Sequence, residues 1–195
     1  MTDAIDPTVY RLRSNAFVGE RTHRLTDDAL TWEEEGKPPG RIAYDDIAEV
    51  RMTFAPTRAA TNRYRTRIVP RSGQRLELFN THYVGIADFP ERNAAYVAFL
   101  TELHRRLAER GTQTTFRKGS SPFAYILNGI VTAMTFVVVA GAFLYFANFG
   151  TIWLVVAKIA IILAFVPVLI RFMRRTVPEP YDPRALPSAA LPAVE

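Results

Sequence analysis

Six arginines are concentrated in one short stretch of this 195-residue chain, where their charge could bind anionic groups. The stretch runs from residue 58 to residue 75 and contains no acidic residue. Its arginines are Arg58, Arg63, Arg65, Arg67, Arg71 and Arg75. Arg63, Arg65 and Arg67 are spaced two residues apart, and alternate residues of a strand share one face. The pattern predicts a basic strand face that binds anionic lipid headgroups or an acidic partner.

A second interpretation of the same arginines requires no ligand. Acidic residues on neighbouring strands neutralise basic residues directly opposite, and Glu49 and Glu77 are candidates for this role. The arginines would then form an ordinary solvated strand face. Both interpretations remain open from the sequence.

Lys158 is the second residue with functional potential, because it interrupts a long apolar run. An ionisable group inside a membrane span is costly, which makes it a functional candidate. Its side chain can extend to the headgroups, contact a partner subunit, or line a transport or proton path. All three interpretations remain open.

Catalytic and metal-binding chemistry is not indicated elsewhere. The chain has no cysteine, and its three histidines, His23, His82 and His104, lack the paired spacing of metal ligands. We expect these histidines to be surface or half-buried residues. The acidic runs 33–35 and 45–46 are expected to be solvated turn charges. The sequence therefore predicts a protein that is not an enzyme and holds no metal or cofactor.

Two apolar runs dominate the last third of the chain. Residues 123–147 are 25 residues without a charged side chain, which is long enough for a helix to cross a bilayer. Residues 152–170 form a second run of 19 residues, separated from the first by only four. Such a short connection predicts a transmembrane helical hairpin, which we place at residues 122–175.

The distribution of basic residues predicts the orientation of this hairpin. Arginine and lysine flank its outer ends, while the connecting loop, residues 148–151, contains neither. Basic flanks remain on the cytoplasmic side, so both termini are expected to be cytoplasmic. The hairpin also makes the lipid bilayer a predicted partner of the chain. The net charge of +5 divides into +3 before residue 123 and +2 after it. That even division does not favour a nucleic-acid partner.

The first 110 residues have the pattern of a small antiparallel β fold followed by one helix. About seven short stretches alternate apolar and polar residues and are separated by turn residues. The period then changes to that of a helix, with a capped start at residues 88–91 and a stop at Gly111. The apolar face of this helix contains Tyr96, Phe99, Leu100, Leu103 and Leu107. Such a helix can cover an open end of the β structure.

Seven strands and a following helix resemble the pleckstrin-homology (PH) fold, specifically the PH-like domains of bacterial membrane proteins. The resemblance rests on residues 25–32, 41–50 and 96–100, and it covers residues 8–110. It implies an α+β fold: a seven-stranded antiparallel PH-like barrel or sandwich with a C-terminal capping helix, followed here by the transmembrane hairpin. The basic loop with which some PH domains bind phosphoinositides is not recognisable, so inositide binding is not implied.

The predicted organisation has five parts. They are an N-terminal extension (1–7), a cytoplasmic PH-like domain (8–111), a linker (112–121), the hairpin (122–175) and a proline-rich tail (176–195). The tail contains five prolines and is expected to be extended or disordered.

This organisation predicts a membrane-anchored, non-enzymatic binding module that acts as a scaffold or accessory subunit. The resemblance to bacterial membrane proteins implies that the membrane is the bacterial inner membrane. Its partner would be a membrane protein or a second copy of the chain. The alternative is an oligomeric transport or channel component that uses Lys158, since two spans in one chain cannot enclose a pore.

Overall fold

The computed structural model describes residues 5–147 and 177–194. The chain divides into two compact units. Unit 1 contains residues 1–119 and 179–195, and unit 2 contains residues 120–178. Unit 1 is therefore discontinuous in sequence, because the C-terminal residues return to the fold formed by the N-terminal ones.

Sheet A is a four-stranded antiparallel sheet at the beginning of unit 1. Its strands, in both chain and sheet order, are β1 (Val9–Leu12), β2 (Arg21–Leu25), β3 (Ala29–Glu34) and β4 (Gly40–Ala43). Apolar residues of these strands, such as Leu12, Leu30 and Ile42, are turned to the core. A tight turn at Thr26–Asp28 joins β2 to β3, with the Thr26 amide donating to the carbonyl of Ala29.

Sheet B is formed first by an antiparallel meander of three strands. They are β5 (Ile47–Phe54), β6 (Tyr64–Pro70) and β7 (Leu76–Phe79), with β6 in the middle of the three. Val50, Met52 and Ile68 are fully buried on the inner side, as the alternation requires. All seven predicted strands are thus present in the predicted order, and they form two sheets in the manner of a sandwich.

Helix α1 (Asn93–Glu109) contributes the remaining part of the core. The predicted apolar face is confirmed, because Tyr96, Phe99, Leu100, Leu103 and Leu107 are all buried in one cluster with residues of both sheets. Gly111 has φ +60°, a left-handed conformation that glycine adopts without strain after a helix end. The predicted stop is therefore confirmed.

The predicted start of α1 is wrong by about one turn. The helix begins at Asn93, after an Arg92 whose side chain makes no capping hydrogen bond. Residues 81–91 instead form a small hairpin with bridges between Thr81 and Glu91 and between Gly85 and Asp88. Backbone hydrogen bonds within this hairpin involve both the amide and the carbonyl of Asp88, which therefore lies in the turn and not at the start of the helix.

Two short strands extend sheet B beyond the predicted domain. β8 (Thr115–Lys118) pairs in parallel with β5, and β9 (Glu179–Pro180) pairs antiparallel with β8. Residues predicted to be a linker, 112–121, therefore include a strand of the sheet. Among the described residues sheet B has five strands, in the order β7-β6-β5-β8-β9.

Residues 179–194 of the tail, which the sequence predicts to be extended or disordered, lie against the rest of unit 1. Tyr181, Leu186 and Leu191 pack against the core of unit 1, and Ala190 is buried. The Tyr181 hydroxyl lies 2.7 Å from Nε2 of His104 on α1. Prolines prevent this segment from building regular structure of its own, but they do not prevent it from packing on a core that other residues supply.

Unit 2 is described over one long helix, α2 (Pro122–Ala147), which coincides with the first apolar run. Within residues 5–147 and 177–194, no helix was found with the length and apolar character needed to cross a membrane. The second predicted span, 152–170, and the candidate residue Lys158 lie outside the described residues. Membrane insertion, the hairpin and a role for Lys158 remain predictions.

Candidate functional site

The outer face of sheet B carries the central part of the predicted arginine cluster. Buried residues alternate with half-buried ones along β6, so that Tyr64, Thr66 and Ile68 point into the core. Arg65 and Arg67 therefore lie on the opposite, outer side, and Arg63 continues this series just before the strand begins. The predicted basic strand face is present.

Strand pairing extends this face into a row of arginines. Arg51 of β5 is in register with Arg67 of β6 on one side and with Arg117 of β8 on the other. Neighbouring strands are about 4.8 Å apart, so three guanidinium-bearing residues follow one another over about 10 Å. We call Arg67, Arg51 and Arg117 the arginine row. Glu77 of β7 continues it at one end, in register with Arg67.

Two carboxylates offset part of the charge of this face. Arg67 donates to Glu77 from Nε at 2.9 Å, and the same carboxylate lies 3.7 Å from Arg65. Arg51 donates from Nε to Glu49 at 2.6 Å. The expected role of Glu77 opposite the β6 arginines is confirmed, whereas Glu49 pairs with an arginine of its own strand. Five arginines, 51, 63, 65, 67 and 117, then face two glutamates, which leaves a net positive surface.

Arg63 is held flat against the sheet. Its guanidinium carbon lies 3.9 Å from the centroid of the Phe79 ring, within the range of a cation–π contact. Burial first, and repulsion from Arg65 second, lower the pKa of Arg63 from its ordinary value. The group stays charged at neutral pH, because an arginine guanidinium is effectively always protonated in proteins. Arg63 therefore contributes positive charge on a fixed, aromatic support.

The other three arginines of the cluster do not lie on this face. Arg71 and Arg75 are exposed in the turn between β6 and β7, and Arg71 donates to the carbonyl of Gln113. Arg58 is exposed in the loop between β5 and β6, at the other end of the strands. The structure thus brings together half of the predicted cluster and adds Arg51 and Arg117, which sequence proximity could not identify.

The three histidines are buried, contrary to the expectation of surface or half-buried positions. His23, His82 and His104 are 1%, 7% and 0% exposed. His104 lies between the carbonyl of Leu100 at Nδ1 and the Tyr181 hydroxyl at Nε2, both at 2.7 Å. Burial lowers the pKa of His23 and of His104 to about 4. These residues are neutral core groups at pH 7.

No group of three or more histidine or acidic side chains suited to hold a metal ion occurs in the part of the chain that the structure describes. His82 is 3.7 Å from the Glu20 carboxylate, but His23 and His104 each contact a backbone carbonyl. The described residues give no arrangement in which these imidazoles converge.

Glu34 corrects the expectation that the 33–35 run is solvated. Its side chain is only 4% exposed, and it accepts hydrogen bonds from Lys37 at 2.5 Å, Arg21 at 2.6 Å and the Gly19 amide at 3.2 Å. These donors, Lys37 first and Arg21 second, lower the pKa of Glu34 to about 2. The carboxylate therefore joins the β1–β2 loop to the β3–β4 loop.

Replacing Glu34 by glutamine is expected to destabilise the protein by about 1–2 kcal/mol at pH 7, because three donors lose a charged acceptor. The effect stays modest because Arg21 and Lys37 are partly solvated. Urea unfolding of the full chain measures it, with Glu35→Gln as the matched change at an exposed neighbour. Equal stability of the two variants would contradict the role of Glu34.

The described residues form an α+β fold of two sheets, and the outer face of sheet B is basic. No protein-family model and no curated protein matches the sequence. A solved structure described as that of the Spt16D Pob3N heterodimer is similar, with a TM-score of 0.34 and 13% identity. The similarity covers 59% of this chain and 54% of that chain, or about half of its length.

Proposed function

We propose that this protein is a membrane-tethered, non-enzymatic PH-like module whose arginine row binds an acidic surface of a partner protein. The observation that carries the proposal is the register of Arg67, Arg51 and Arg117 across three adjacent strands. Guanidinium groups bind carboxylates through two parallel hydrogen bonds, which makes a row of them suited to an acidic protein segment.

The PH-like assignment is supported by the order of the elements. A four-stranded antiparallel sheet, a three-stranded antiparallel meander and a helix follow one another between residues 9 and 109. Seven strands followed by one helix is the element order that the family resemblance implies. β8, β9 and the packed C-terminal segment are additions to it.

A protein partner is favoured over a lipid surface by how the arginines are held. Arg65 and Arg67 are 30% exposed, and they lie beside Glu77 rather than extending into solvent. Arg63 lies on Phe79. A flat, ordered face of arginine and aromatic side chains is the composition enriched at protein interfaces, where arginine is frequent among the residues that dominate affinity. The experiment must distinguish binding of a protein partner to this face from binding of lipid headgroups.

The tether is supported by the sequence and by one feature of unit 1. Residues 123–147 contain no charged side chain. β8 pairs with β9, and Lys118 forms a 2.9 Å ion pair with Glu179. The segment between residues 119 and 178 therefore leaves unit 1 and returns to it at neighbouring positions. If residues 123–147 cross the bilayer, the chain must cross again before β9. This supports a hairpin with both ends on one side of the membrane.

Neutralising the row is expected to reduce recovery of the partner at least about tenfold, since each charged contact is worth roughly 1 kcal/mol. The full chain is purified in mild detergent as the triple variant Arg51→Gln, Arg67→Gln and Arg117→Gln, and the co-purifying proteins are quantified. The matched control removes three arginines from the outer face of sheet A: Arg11→Gln, Arg24→Gln and Arg41→Gln. Urea unfolding verifies that both variants are folded.

If partner recovery falls equally in the row variant and in the control variant, binding depends on net charge and not on a specific surface. Unchanged recovery in both would remove the row as a binding site. Hydrogen exchange of the β6 amides in nanodiscs tests the lipid outcome. If the β6 amides are protected only with anionic lipid, and this protection disappears in the row variant, the arginine row binds lipid headgroups and not a protein partner.

A further inference from the structure

Two loops of unit 1 display large apolar side chains that the binding face does not use. Phe17 lies in the β1–β2 loop and is 96% exposed. Ile86 lies at the tip of the 81–91 hairpin and is also 96% exposed, with Val84 beside it at 56%. Single exposed apolar residues are common on protein surfaces, but almost complete exposure of both phenylalanine and isoleucine at loop tips is not needed for folding.

Both tips are held in place rather than left loose. Arg13 donates from Nε to the carbonyl of Val18 at 3.2 Å, and the Asn15 side chain accepts from the Phe17 amide at 2.9 Å. In the hairpin, the Val84 amide donates a hydrogen bond to the Asp88 carbonyl across the turn. Ala87, which lies within this turn, has φ +61°. A non-glycine residue in that region costs roughly 1–2 kcal/mol. The hairpin thus adopts a strained turn with Ile86 at its tip.

The two loops are also joined to each other. The Tyr83 amide donates to the carbonyl of Arg13 at 2.8 Å, and the Arg13 amide donates to Nδ1 of His82 at 3.2 Å. The Arg13 guanidinium lies 5.3 Å from the centroid of the Tyr83 ring. Phe17, Val84 and Ile86 therefore belong to one braced edge of the unit, which we call the apolar edge.

The apolar edge lies at the end of the sandwich from which the chain leaves unit 1. β5 and β8 run toward this end, where the Thr53 hydroxyl donates to the carbonyl of Gly119 at 3.0 Å. β6 starts there and β7 ends there, and Asn80 after β7 bonds to Tyr64 and Asn62. The chain continues from Gly119 into the uncharged segment 123–147 within a few residues, a reach of about 3.5 Å per residue at most.

We propose that the apolar edge inserts Phe17 and Ile86 into the interfacial region of the lipid bilayer. The proposal rests on the tether of the proposed function and gives it an orientation. Aromatic and aliphatic side chains on a rigid edge gain free energy by leaving water at the headgroup level, and the nearby anchor removes most of the entropic cost of approach.

Site-directed spin labelling tests the proposal cleanly, because the chain contains no cysteine. The full chain is reconstituted in phosphatidylcholine nanodiscs as four single variants: Phe17→Cys, Ile86→Cys, Gln74→Cys and Leu127→Cys. Gln74 is exposed in the β6–β7 turn at the opposite end of the sandwich, and Leu127 reports on α2. Each nitroxide is measured for collision with oxygen, which concentrates in lipid, and with a water-soluble nickel complex.

We expect the oxygen-to-nickel ratio at positions 17 and 86 to rise above that at position 74 and approach that at position 127. A lipid-like ratio at 127 with water-like ratios at 17 and 86 would overturn the insertion and leave the tether intact. A water-like ratio at 127 would overturn both. Protection of positions 17 and 86 from both reagents would overturn the insertion in favour of a protein contact at this edge.

Discussion

Lowering the pH from 7 to 4 is expected to unfold unit 1, with most of the loss occurring below pH 6.5. The cause is the burial of His23 and His104, whose pKa values in the folded protein are about 4. An unfolded histidine titrates near 6.5, so the unfolded chain binds protons over a range in which the folded protein does not. Each histidine then removes about 1.4 kcal/mol of stability for every pH unit, or roughly 3 kcal/mol by pH 4.

The direction and range of this effect separate it from ordinary acid denaturation. Stability is complete above pH 6.5 and declines as the pH falls toward the folded pKa values of the two histidines. Glu34 and Glu102 have pKa values lowered to about 2, so their contribution is lost only below about pH 4.5. The loss of stability between pH 6.5 and pH 4.5 is therefore assigned to the histidines.

Urea unfolding of the full chain in detergent, followed by circular dichroism at pH 7, 6, 5 and 4, measures this dependence. His104→Gln removes one of the two histidines whose pKa in the folded protein is about 4, so its stability should be lower at pH 7 but should fall less steeply with pH. His82, whose pKa burial also lowers, still titrates in this variant. Equal wild-type stability at pH 7 and pH 5 would contradict the prediction, and so would an unchanged slope in the variant.

Removing the side chain of Tyr181 is expected to destabilise the protein by about 3 kcal/mol, the cost of deleting a large ring from a packed site. The ring contacts Phe116 of β8 and His104 of α1, with centroids 5.8 Å from each. The His104 imidazole in turn depends on Tyr181 for a hydrogen-bond partner. Its Nδ1 faces a carbonyl and must carry the proton, so Nε2 accepts from the Tyr181 hydroxyl.

Two further substitutions resolve the components of this site. Tyr181→Phe keeps the ring and loses only the hydrogen bond, so we expect a cost of about 1 kcal/mol. Arg184→Ala changes an exposed residue of the same segment and should be neutral within about 0.5 kcal/mol. The free energy of unfolding is measured at pH 7. A Tyr181→Ala variant as stable as the wild type would show that the C-terminal segment does not stabilise unit 1.

The correct predictions were those that depend on local periodicity. β5, for example, has Val50 and Met52 on one side and Glu49 and Arg51 on the other, a pattern that any half-buried strand must have. The apolar stripe of α1 is equally local. Pairing and register are not local, because they depend on residues far apart in the chain. The arginine row is the clearest case, since Arg51, Arg67 and Arg117 come from three separate segments.

The strands, helix α1, the lack of cysteine and the uncharged run after residue 122 can be predicted from sequence patterns, because each is a property of neighbouring residues. The arrangement of the arginines, the burial of Glu34 and the histidines, and the return of residues 179–194 to the core depend on how distant segments pack together. Burial and charge environment are set by the groups that surround a side chain. Those groups come from distant parts of the chain, so composition cannot reveal them.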